Sequence, residues 1–374
     1  MNVGSLFKSA VAVAVLWAAT DTAFAVTCTY ESGRPATESA MPLQVSAISV
    51  GRDVPVGTEV YRQTFKIAAG KAAKVDCRNA PFDMSSEYLV ETDYGRADWG
   101  SGVYAGKVYK TGISGLGVAF NNLGGMLPRK TGKNASACTS GERCLVPFDS
   151  ASDFELILIK VGDVEPGVLH GYTLPIVTMF AYLGDARMMG FSIRISSSLQ
   201  IVSRTCTTPD VEVRMGTHSP SKFTAANSAT AWTDFSIQLN NCPAFHGTIN
   251  KSPASWVSVG GTSSKGTGGV GSSDNNKLSY RIDPVRTAIS PGTGVLSLDP
   301  TAAGRPPAAT GIGVQVAIKD GVAVPLASKQ GSSLVLRASE SSYSIPLRAR
   351  YLKTGNVVTG GPANASATFT ISYE

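Results

Sequence analysis

Charged residues are scarce in this chain of 374 residues, since only 16% of them are Asp, Glu, Lys or Arg. The net charge is +6, but the basic residues are spread thinly and no run of them marks a nucleic-acid-binding stripe. We therefore expect no nucleic-acid partner. Sustained helical periodicity is also missing. The 39 glycines fit a protein of short strands and turns better than one of long charged helices.

Hydrophobic runs long enough to cross a membrane are missing as well. The apolar run near the N-terminus, residues 10–19, is too short to span comfortably. It is followed by Ala23-Phe24-Ala25, which matches the small-x-small pattern of signal-peptide cleavage. We expect residues 1–25 to be a secretory signal peptide whose removal leaves Val26 as the first mature residue.

The usual signatures of enzymes are absent. The chain has no Gly-x-Ser-x-Gly nucleophile motif and no phosphate-binding loop. Its three histidines are scattered and no Cys-x-x-Cys pair occurs, which argues against a zinc site. Carboxylate pairs such as Asp83 and Glu87 could hydrolyse glycosides, but such spacings are common by chance. We expect no enzymatic activity, no metal and no cofactor, and keep a secreted glycan-acting enzyme as an alternative.

Six cysteines follow the export signal, and an even number in this context favours disulfide bonds. Six cysteines allow fifteen pairings, so the sequence leaves the true pairing open. Their grouping along the chain favours three bonds: Cys28–Cys77, Cys138–Cys144 and Cys206–Cys242.

Apolar residues alternate with polar ones in short runs that are separated by Gly, Asn, Asp and Pro clusters. This pattern predicts an all-β protein of two immunoglobulin-like sandwich domains. We place the first domain at residues 26–198, a short linker at 199–203 and the second domain at 204–374. The segment 258–276 is rich in Gly and Ser and is expected to be a mobile loop. Strands are predicted at residues 43–47, 60–67, 88–90, 154–158, 174–181, 191–195, 211–213, 235–239, 278–282, 313–318, 344–351 and 367–373.

The C-terminal strand has the clearest alternation in the chain. One face carries only apolar or aromatic side chains and the other carries Thr and Ser. An ordinary half-buried terminal strand is one interpretation of this pattern. In the context of Cys206, Cys242, the run 309–316 and the segments 343–351 and 358–365, however, the sequence resembles the pilin domain of chaperone–usher fimbriae over residues 204–374.

That resemblance implies a sandwich that lacks its final strand and therefore has an apolar groove. A periplasmic chaperone fills the groove during export through the outer-membrane usher, and the neighbouring pilus subunit fills it in the fibre by strand addition. The resemblance places the following residues in or beneath the groove: Gly361, Ala367, Phe369, Ile371 and Tyr373.

A fibre subunit of this family carries a donor extension before its first cysteine, but Cys28 is only the third residue after the expected cleavage site. A whole domain stands where that extension would be. We therefore expect a subunit at the tip of a fimbrium, similar to the two-domain fimbrial adhesins whose N-terminal domain is lectin-like. A structural cap or adaptor subunit without lectin activity is the alternative.

The first domain also resembles the type 1 fimbrial tip adhesins, in which the mature N-terminus and an acidic residue beside a Tyr form a mannose pocket. Val26 and the pair Glu87-Tyr88 fit these positions, although the mannose binders have Asp where this chain has Glu87. A carboxylate that accepts hydroxyl groups beside an aromatic wall is suited to sugars. The alternative is an exposed Glu87 at the start of a strand with Tyr88 in the core.

A later hairpin, residues 182–187, departs from the mannose binders because their Gln and Asn are missing. Its Tyr182, Asp185 and Arg187 could bind a ligand, or Asp185 and Arg187 could form a solvent-facing ion pair at a turn. The receptor could therefore be another glycan or a protein. Aromatic residues in the Gly-rich stretch 94–109 could form a sugar platform, or anchor the loop to a core.

Overall fold

The computed structural model describes residues 25–78, 81–135 and 143–374. Almost all of the regular structure in these ranges is strand, which confirms the predicted all-β class. Within the same ranges, no helix has the length and apolar character needed to cross a membrane. The predicted signal peptide lies outside the described residues apart from its last residue. The 3₁₀ helices are Gly102–Tyr104, Asp149–Ala151, Gly171–Thr173, Pro220–Lys222 and Pro291–Thr293.

The first half of the chain forms short strands that belong to several sheets. These strands are β1 (Thr27–Tyr30), β2 (Thr37–Pro42), β3 (Ala47–Ser49), β4 (Glu59–Ile67), β5 (Lys74–Arg78), β6 (Asp83–Glu91), β7 (Tyr109–Lys110), β8 (Leu116–Asn122), β9 (Gly125–Met126), β10 (Arg129–Lys130), β11 (Asn134–Ala135), β12 (Arg143–Pro147), β13 (Phe154–Lys160), β14 (Gly167–His170), β15 (Ile176–Leu183), β16 (Ala186–Ser196) and β17 (Ser198–Val202).

Two large sheets dominate this half of the molecule. One has the order β10-β6-β15-β16-β2, and the other contains β4-β13-β8-β7 in adjacent positions. Their facing side chains form one hydrophobic core, in which the rings of Phe65, Phe154 and Phe191 lie with centroids 4.9 to 6.3 Å apart. Alternation of apolar residues along β4, β13 and β16 places these rings between the sheets.

The second half of the chain supplies the remaining strands. They are β18 (Thr233–Cys242), β19 (Thr248–Ser258), β20 (Gly266–Gly269), β21 (Ser272–Asp274), β22 (Leu278–Pro284), β23 (Val295–Leu296), β24 (Ile312–Ile318), β25 (Gln330–Gly331), β26 (Ser341–Lys353) and β27 (Ala367–Tyr373).

A second hydrophobic core lies between two sheets of this half. One sheet has the order β18-β26-β24-β23 and the other has the order β25-β22-β27. The core includes Ile237, Leu347 and Ile371, all less than 8% exposed. The predicted pair of sandwich-like units with separate cores is therefore present, and the sheets remain open.

Two predicted strands differ from the structure. Residues 43–46 form the connection between β2 and β3 because the chain changes sheets there, and the amide of Gln44 donates to the side chain of Gln63 instead of to a ladder. Residues 211–213 are extended but are not paired in a sheet. Both segments alternate well, but neither is paired with a neighbouring strand among the residues that the structure describes.

The predicted linker, residues 199–203, is also largely regular structure. Strand β17 ends at Val202 and pairs with β14 and β3 of the first half. Leu199 and Ile201 are fully buried in the first core. The connection between the halves is thus shortened to about residues 203–205, because the alternating apolar residues of 199–202 have a sheet to join.

The Gly/Ser-rich segment 258–276 was expected to be a mobile loop, and the structure corrects this expectation. It contains β20 and β21, which return antiparallel to β19. Glycine allows close approach here, since a Cβ at Gly266 would lie 2.7 Å from the indole of Trp256. Although the side chains of this segment show little alternation, its backbone forms strands by pairing with β19.

Disulfide bonds join Cys28 to Cys77 and Cys206 to Cys242, as predicted. Cys144 is also disulfide-bonded. Its predicted partner, Cys138, lies outside the described residues.

Candidate functional site

An open groove of about 630 Å³ lies between the two sheets of the C-terminal half. Its floor is apolar and includes Ile237, Val314 and Leu347. One wall is the extended segment 210–216, and the opposite wall is formed by residues 363–369 at the start of β27. The alternating pattern of the strands turns their apolar side chains into this space.

Strand β27 is the outer strand of its sheet in the described residues, because it pairs only with β22. The two amides of Lys277 and Glu374 donate to each other's carbonyls, and the amide of Val285 donates to the carbonyl of Ser366. In an antiparallel pair, hydrogen-bonded residues alternate with residues that face the other way. The backbone groups of residues 367, 369, 371 and 373 therefore face away from β22.

The predicted groove residues fall into two groups. Ala367 and Phe369 line the groove, whereas Ile371 and Tyr373 are 7% and 4% exposed and belong to the core beneath it. Gly361 lines an adjoining cavity of about 220 Å³. A Cβ at Gly361 would lie 2.3 Å from the carbonyl oxygen of Pro307, so only glycine fits this turn.

Within the part of the chain that the structure describes, the open edge of β27 is hydrogen-bonded only at its end, by a loop of the first half. The amide of Asp53 donates to the carbonyl of Tyr373 over 3.2 Å, and the amide of Tyr373 donates to the Asp53 carboxylate over 2.9 Å. Lys160 is 2% exposed and donates its Nζ to the carbonyls of Gly51 (3.1 Å) and Arg52 (2.5 Å). Burial lowers the pKa of this lysine.

The wall formed by residues 210–216 contains Val211, Val213 and Met215, whose apolar side chains alternate with exposed polar ones. Val213 and Met215 pack against the C-terminal core. The sequence predicts a strand at 211–213 but does not place this segment at the groove. The V-x-V-x-M alternation was the available signal, and it does not reveal what lies beside a strand.

The groove can accept an extended apolar segment. Strand β27 offers outward-facing backbone groups at residues 367, 369 and 371, and the floor offers apolar surface to alternate side chains. Seven residues of strand span roughly 23 Å, which is enough for a typical strand to add to the sheet.

Three of the predicted ligand-binding residues, Glu87, Tyr182 and Arg187, lie on the outer face of the β10-β6-β15-β16 sheet. The hydroxyl of Tyr182 donates to Glu87 Oε2 over 2.5 Å, and this hydrogen bond raises the pKa of Tyr182. Arg187 lies opposite Tyr182 on β16, and its guanidinium is stacked 3.5 Å above the centroid of the Phe180 ring. The structure therefore brings Glu87, Tyr182 and Arg187 together.

Lys130 also belongs to this patch, although it is not among the residues predicted from the sequence. It lies opposite Glu87 in the β10–β6 pair, and its Nζ is 4.2 Å from the centroid of the Tyr182 ring. Lys130 and Glu87 are far apart in sequence, so no local pattern could have linked them. The patch presents two exposed cations, one carboxylate and one phenol, a set that can hydrogen-bond a polar ligand.

The remaining predicted ligand residues are placed apart from this patch. Tyr88 is 3% exposed in the core, and its hydroxyl donates to the carbonyl of Ala151. The side chain of Val26 lies against Gly184 at the hairpin turn, where a Cβ would be 2.8 Å from Val26 Cγ2. Asp185 is exposed at that turn. Glu87, by contrast, pairs with Phe180. Phe180 is four residues before Gly184, which corresponds to roughly 13 Å along the strand.

The aromatic residues of the stretch 94–109 mainly support the fold. Trp99 and Tyr104 pack on a small cluster of buried residues that includes Val108 and Ile157, on the outer face of the β4-β13-β8 sheet. The Tyr104 hydroxyl also donates to the carboxylate of Glu59. Of the two interpretations of this stretch, the structure favours anchoring of the loop over an exposed platform.

Comparison with known proteins gives a consistent set of similarities. Residues 193–374 match the family model described as Fimbrial protein. The chain is 26% identical over 211 residues to a type-1 fimbrial protein subunit of Serratia marcescens, covering 54% of this chain and 97% of that protein.

Among solved structures, the fold is similar to the CupB6 tip adhesin of Pseudomonas aeruginosa, with 14% identity, coverage of 93% and 94% of the two chains and a TM-score of 0.33. It is also similar to the receptor-binding domain of the adhesin MrkD1P of Klebsiella pneumoniae, with 20% identity, coverage of 49% and 98%, and a TM-score of 0.34.

Proposed function

We propose, from the match of residues 193–374 to the fimbrial protein family, that the protein is an adhesin at the tip of a fimbrium. As a fimbrial subunit it is exported through the periplasm and assembled into fimbriae at the cell surface. Its partners include a periplasmic chaperone and other pilus subunits. The C-terminal groove attaches it to the fibre, and the first half binds a receptor.

The observation that carries this proposal is the open edge of β27 beside an apolar groove. The outward backbone groups at residues 367, 369 and 371 offer hydrogen bonds, and the groove floor buries the donor's alternate side chains. Burial of apolar side chains contributes roughly 1.5–3 kcal/mol for each one fully covered. The geometry therefore supports strand addition by a chaperone, at the usher, and then by the adjacent subunit.

A receptor-binding role is proposed for the patch of Glu87, Tyr182, Arg187 and Lys130. Its hydrogen-bonding groups suit a host or surface glycan, and a protein receptor is the second possibility. Val26 and Asp185 lie at the far end of the same hairpin and would contact only an extended ligand such as an oligosaccharide. A mannose-type pocket that joins the Val26 amine to Glu87 is not supported by their separation.

A glycan array probed with the full chain, starting at Val26 and held in solution by a fimbrial chaperone, tests the receptor proposal. We expect binding that Glu87→Ala and Lys130→Ala each reduce at least tenfold, while Glu340→Ala, at an exposed position of the other half and outside the groove, leaves it unchanged. Retained binding in both patch variants would move the receptor site elsewhere. Absence of binding to any glycan, followed by absence of binding to host proteins, would favour a structural cap.

A further inference from the structure

The edge of β4 in the first half is covered by a strand from the second half. Strand β19 runs parallel to β4, with consecutive pairs from Ala254 and Gln63 to Ser258 and Ile67. An additional pair joins Ile249 to Tyr61 beyond an irregularity. The resulting sheet has the order β20-β19-β4-β13-β8-β7, so strands of both halves form one continuous sheet.

The side chains of β19 are part of the first core. Ala254 is fully buried and Ile249 is 6% exposed, and both belong to the cluster formed otherwise by residues of the first half. Trp256 packs against the same cluster. Asn250 donates its Nδ2 to the carbonyl of Glu59 over 2.7 Å, and the amide of Ala68 donates to the carbonyl of Ser258 over 2.8 Å.

Strands β19 and β20 form a hairpin, and the loop between them also contacts the other large sheet of the first half. The amide of Glu38, on β2, donates to the carbonyl of Gly261 over 3.0 Å, and the amide of Ala40 lies 3.3 Å from Ser264 Oγ. Strand β2 is the last strand of its sheet. The hairpin therefore connects the edges of both sheets and closes that side of the sandwich.

The C-terminal core does not use this segment. Among the described residues, its buried members include Phe245 and then Leu278, with none between them. The chain thus leaves its own domain after Phe245 and returns at Leu278. It is held at the two ends by Ser49, whose hydroxyl accepts from the amide of His246 over 2.9 Å and whose carbonyl accepts from Asn276 Nδ2 over 3.1 Å.

We propose that residues 248–274 are a built-in donor segment that completes the first domain, so that this domain reaches its stable fold only with the C-terminal half of the same chain. Without the segment, β4 would present an unpaired edge and the core around Tyr61 and Phe65 would be uncovered, a hazard for aggregation. The N-terminal domain is thereby not an independent module. This completion of the first domain is independent of what the C-terminal groove and the exposed patch bind.

Hydrogen exchange of the full chain, followed by mass spectrometry, tests this proposal. In Ala254→Arg, a charge is forced into the first core on β19, and we expect exchange across residues 59–67 to accelerate at least tenfold. The matched control is Thr267→Arg, at an exposed position of the same hairpin, which should leave exchange in β4 unchanged. Exchange across residues 341–353 reports on the C-terminal core and should stay unchanged in both variants.

Where Ala254→Arg does not accumulate as folded protein, Ile249→Ala takes its place. This variant only removes buried methyl groups, and we expect exchange in residues 59–67 to rise several-fold without a change in 341–353. Unchanged protection of β4 in the folded variants would overturn the proposal. An equal loss of protection in β4 and in residues 341–353 would also overturn it, because the segment would then serve the whole fold instead of completing one domain.

Discussion

Strands β4 and β27 each belong to a sheet that covers a hydrophobic core, but the edge of β4 is paired with another strand and the edge of β27 is open. On β4, the edge is covered by β19 from the distant half of the same chain. On β27, the described residues provide a partner strand only on the β22 side, and the other side borders the groove up to the contact of Tyr373 with Asp53. A sheet edge is a template for any strand that can reach it, so the chain closes one edge itself and leaves the other for a partner.

The difference shows that alternation predicts the faces of a strand but not its neighbours. Residues 367–373 alternate clearly, yet their edge is open. Residues 258–276 carry almost no pattern, yet they help to close a sandwich. The alternation of side chains determines which face of a strand is buried. The pairing of its edge depends instead on which other segment of backbone lies beside it.

The largest effect is expected from the core beneath the open edge. Ile371 is 7% exposed, and Ile371→Ala should lower the free energy of unfolding by about 2–5 kcal/mol because it leaves a cavity. Urea denaturation of the full chain measures this loss. Thr370→Ala, exposed on the opposite face, should remain within about 0.5 kcal/mol of the wild type. Equal losses in both variants would show that the core assignment of Ile371 is wrong.

A pair of proline substitutions can separate the two sides of β27. The amide of Thr368 faces β22, while the amide of Ala367 faces the open edge, and both side chains are exposed. Thr368→Pro should therefore lower the free energy of unfolding by about 1–3 kcal/mol more than Ala367→Pro.

For the same pair, binding of a chaperone should show the converse order. Ala367→Pro removes a backbone donor that faces the incoming strand, so its complex should dissociate faster than that of the wild type. Surface plasmon resonance measures this dissociation rate, and titration calorimetry measures the corresponding loss of affinity. Equal behaviour of the two variants in both assays would contradict the assigned register.

Removing the lysine that holds the loop at the end of β27 should have a comparable or smaller effect. Lys160→Met leaves the carbonyls of Gly51 and Arg52 without their charged donor, at about 1–3 kcal/mol of stability. Lys66→Met, at a half-exposed position, is the control. The loss should appear in urea denaturation at pH 7.

The pH dependence of that loss has a defined sign. Burial lowers the pKa of Lys160, so the folded protein binds this proton less tightly than the unfolded chain. The contribution of Lys160 to stability therefore increases as the pH rises from its lowered pKa towards the ordinary lysine value of about 10.4. The difference between wild type and Lys160→Met should widen in that direction, and a narrowing would contradict it.

The smallest effect is expected on the exposed patch. Glu87→Gln removes the carboxylate that raises the pKa of Tyr182, so this phenol should titrate nearer the ordinary value of about 10. Ultraviolet difference titration with Tyr182→Phe as the assignment control measures the shift, and Asp185→Asn at the exposed turn should not produce it. Stability should change by less than about 0.5 kcal/mol.

Much of the C-terminal half was predictable because its signals are local. Alternation identified β18, β22, β24, β26 and β27, and the grouping of cysteines identified the bond between Cys206 and Cys242. The exposed patch of the first half was less predictable from the sequence. Glu87 and Tyr182 were both named from the sequence, but their hydrogen bond and the position of Lys130 depend on the pairing of β6 with β15 and β10.

The sequence by itself determined the all-β class and the faces of the long strands. It also favoured the pairing of the two disulfide bonds that the structure describes in full, and it showed the resemblance of residues 204–374 to a pilin domain. These properties follow from periodicity and residue type, which act over a few positions. Only the tertiary structure decided that β19 crosses to β4, that segment 211–215 forms a wall of the groove, and that Tyr88 is buried. Each of these depends on which distant backbone lies alongside, because strand pairing is made by backbone groups that every residue carries.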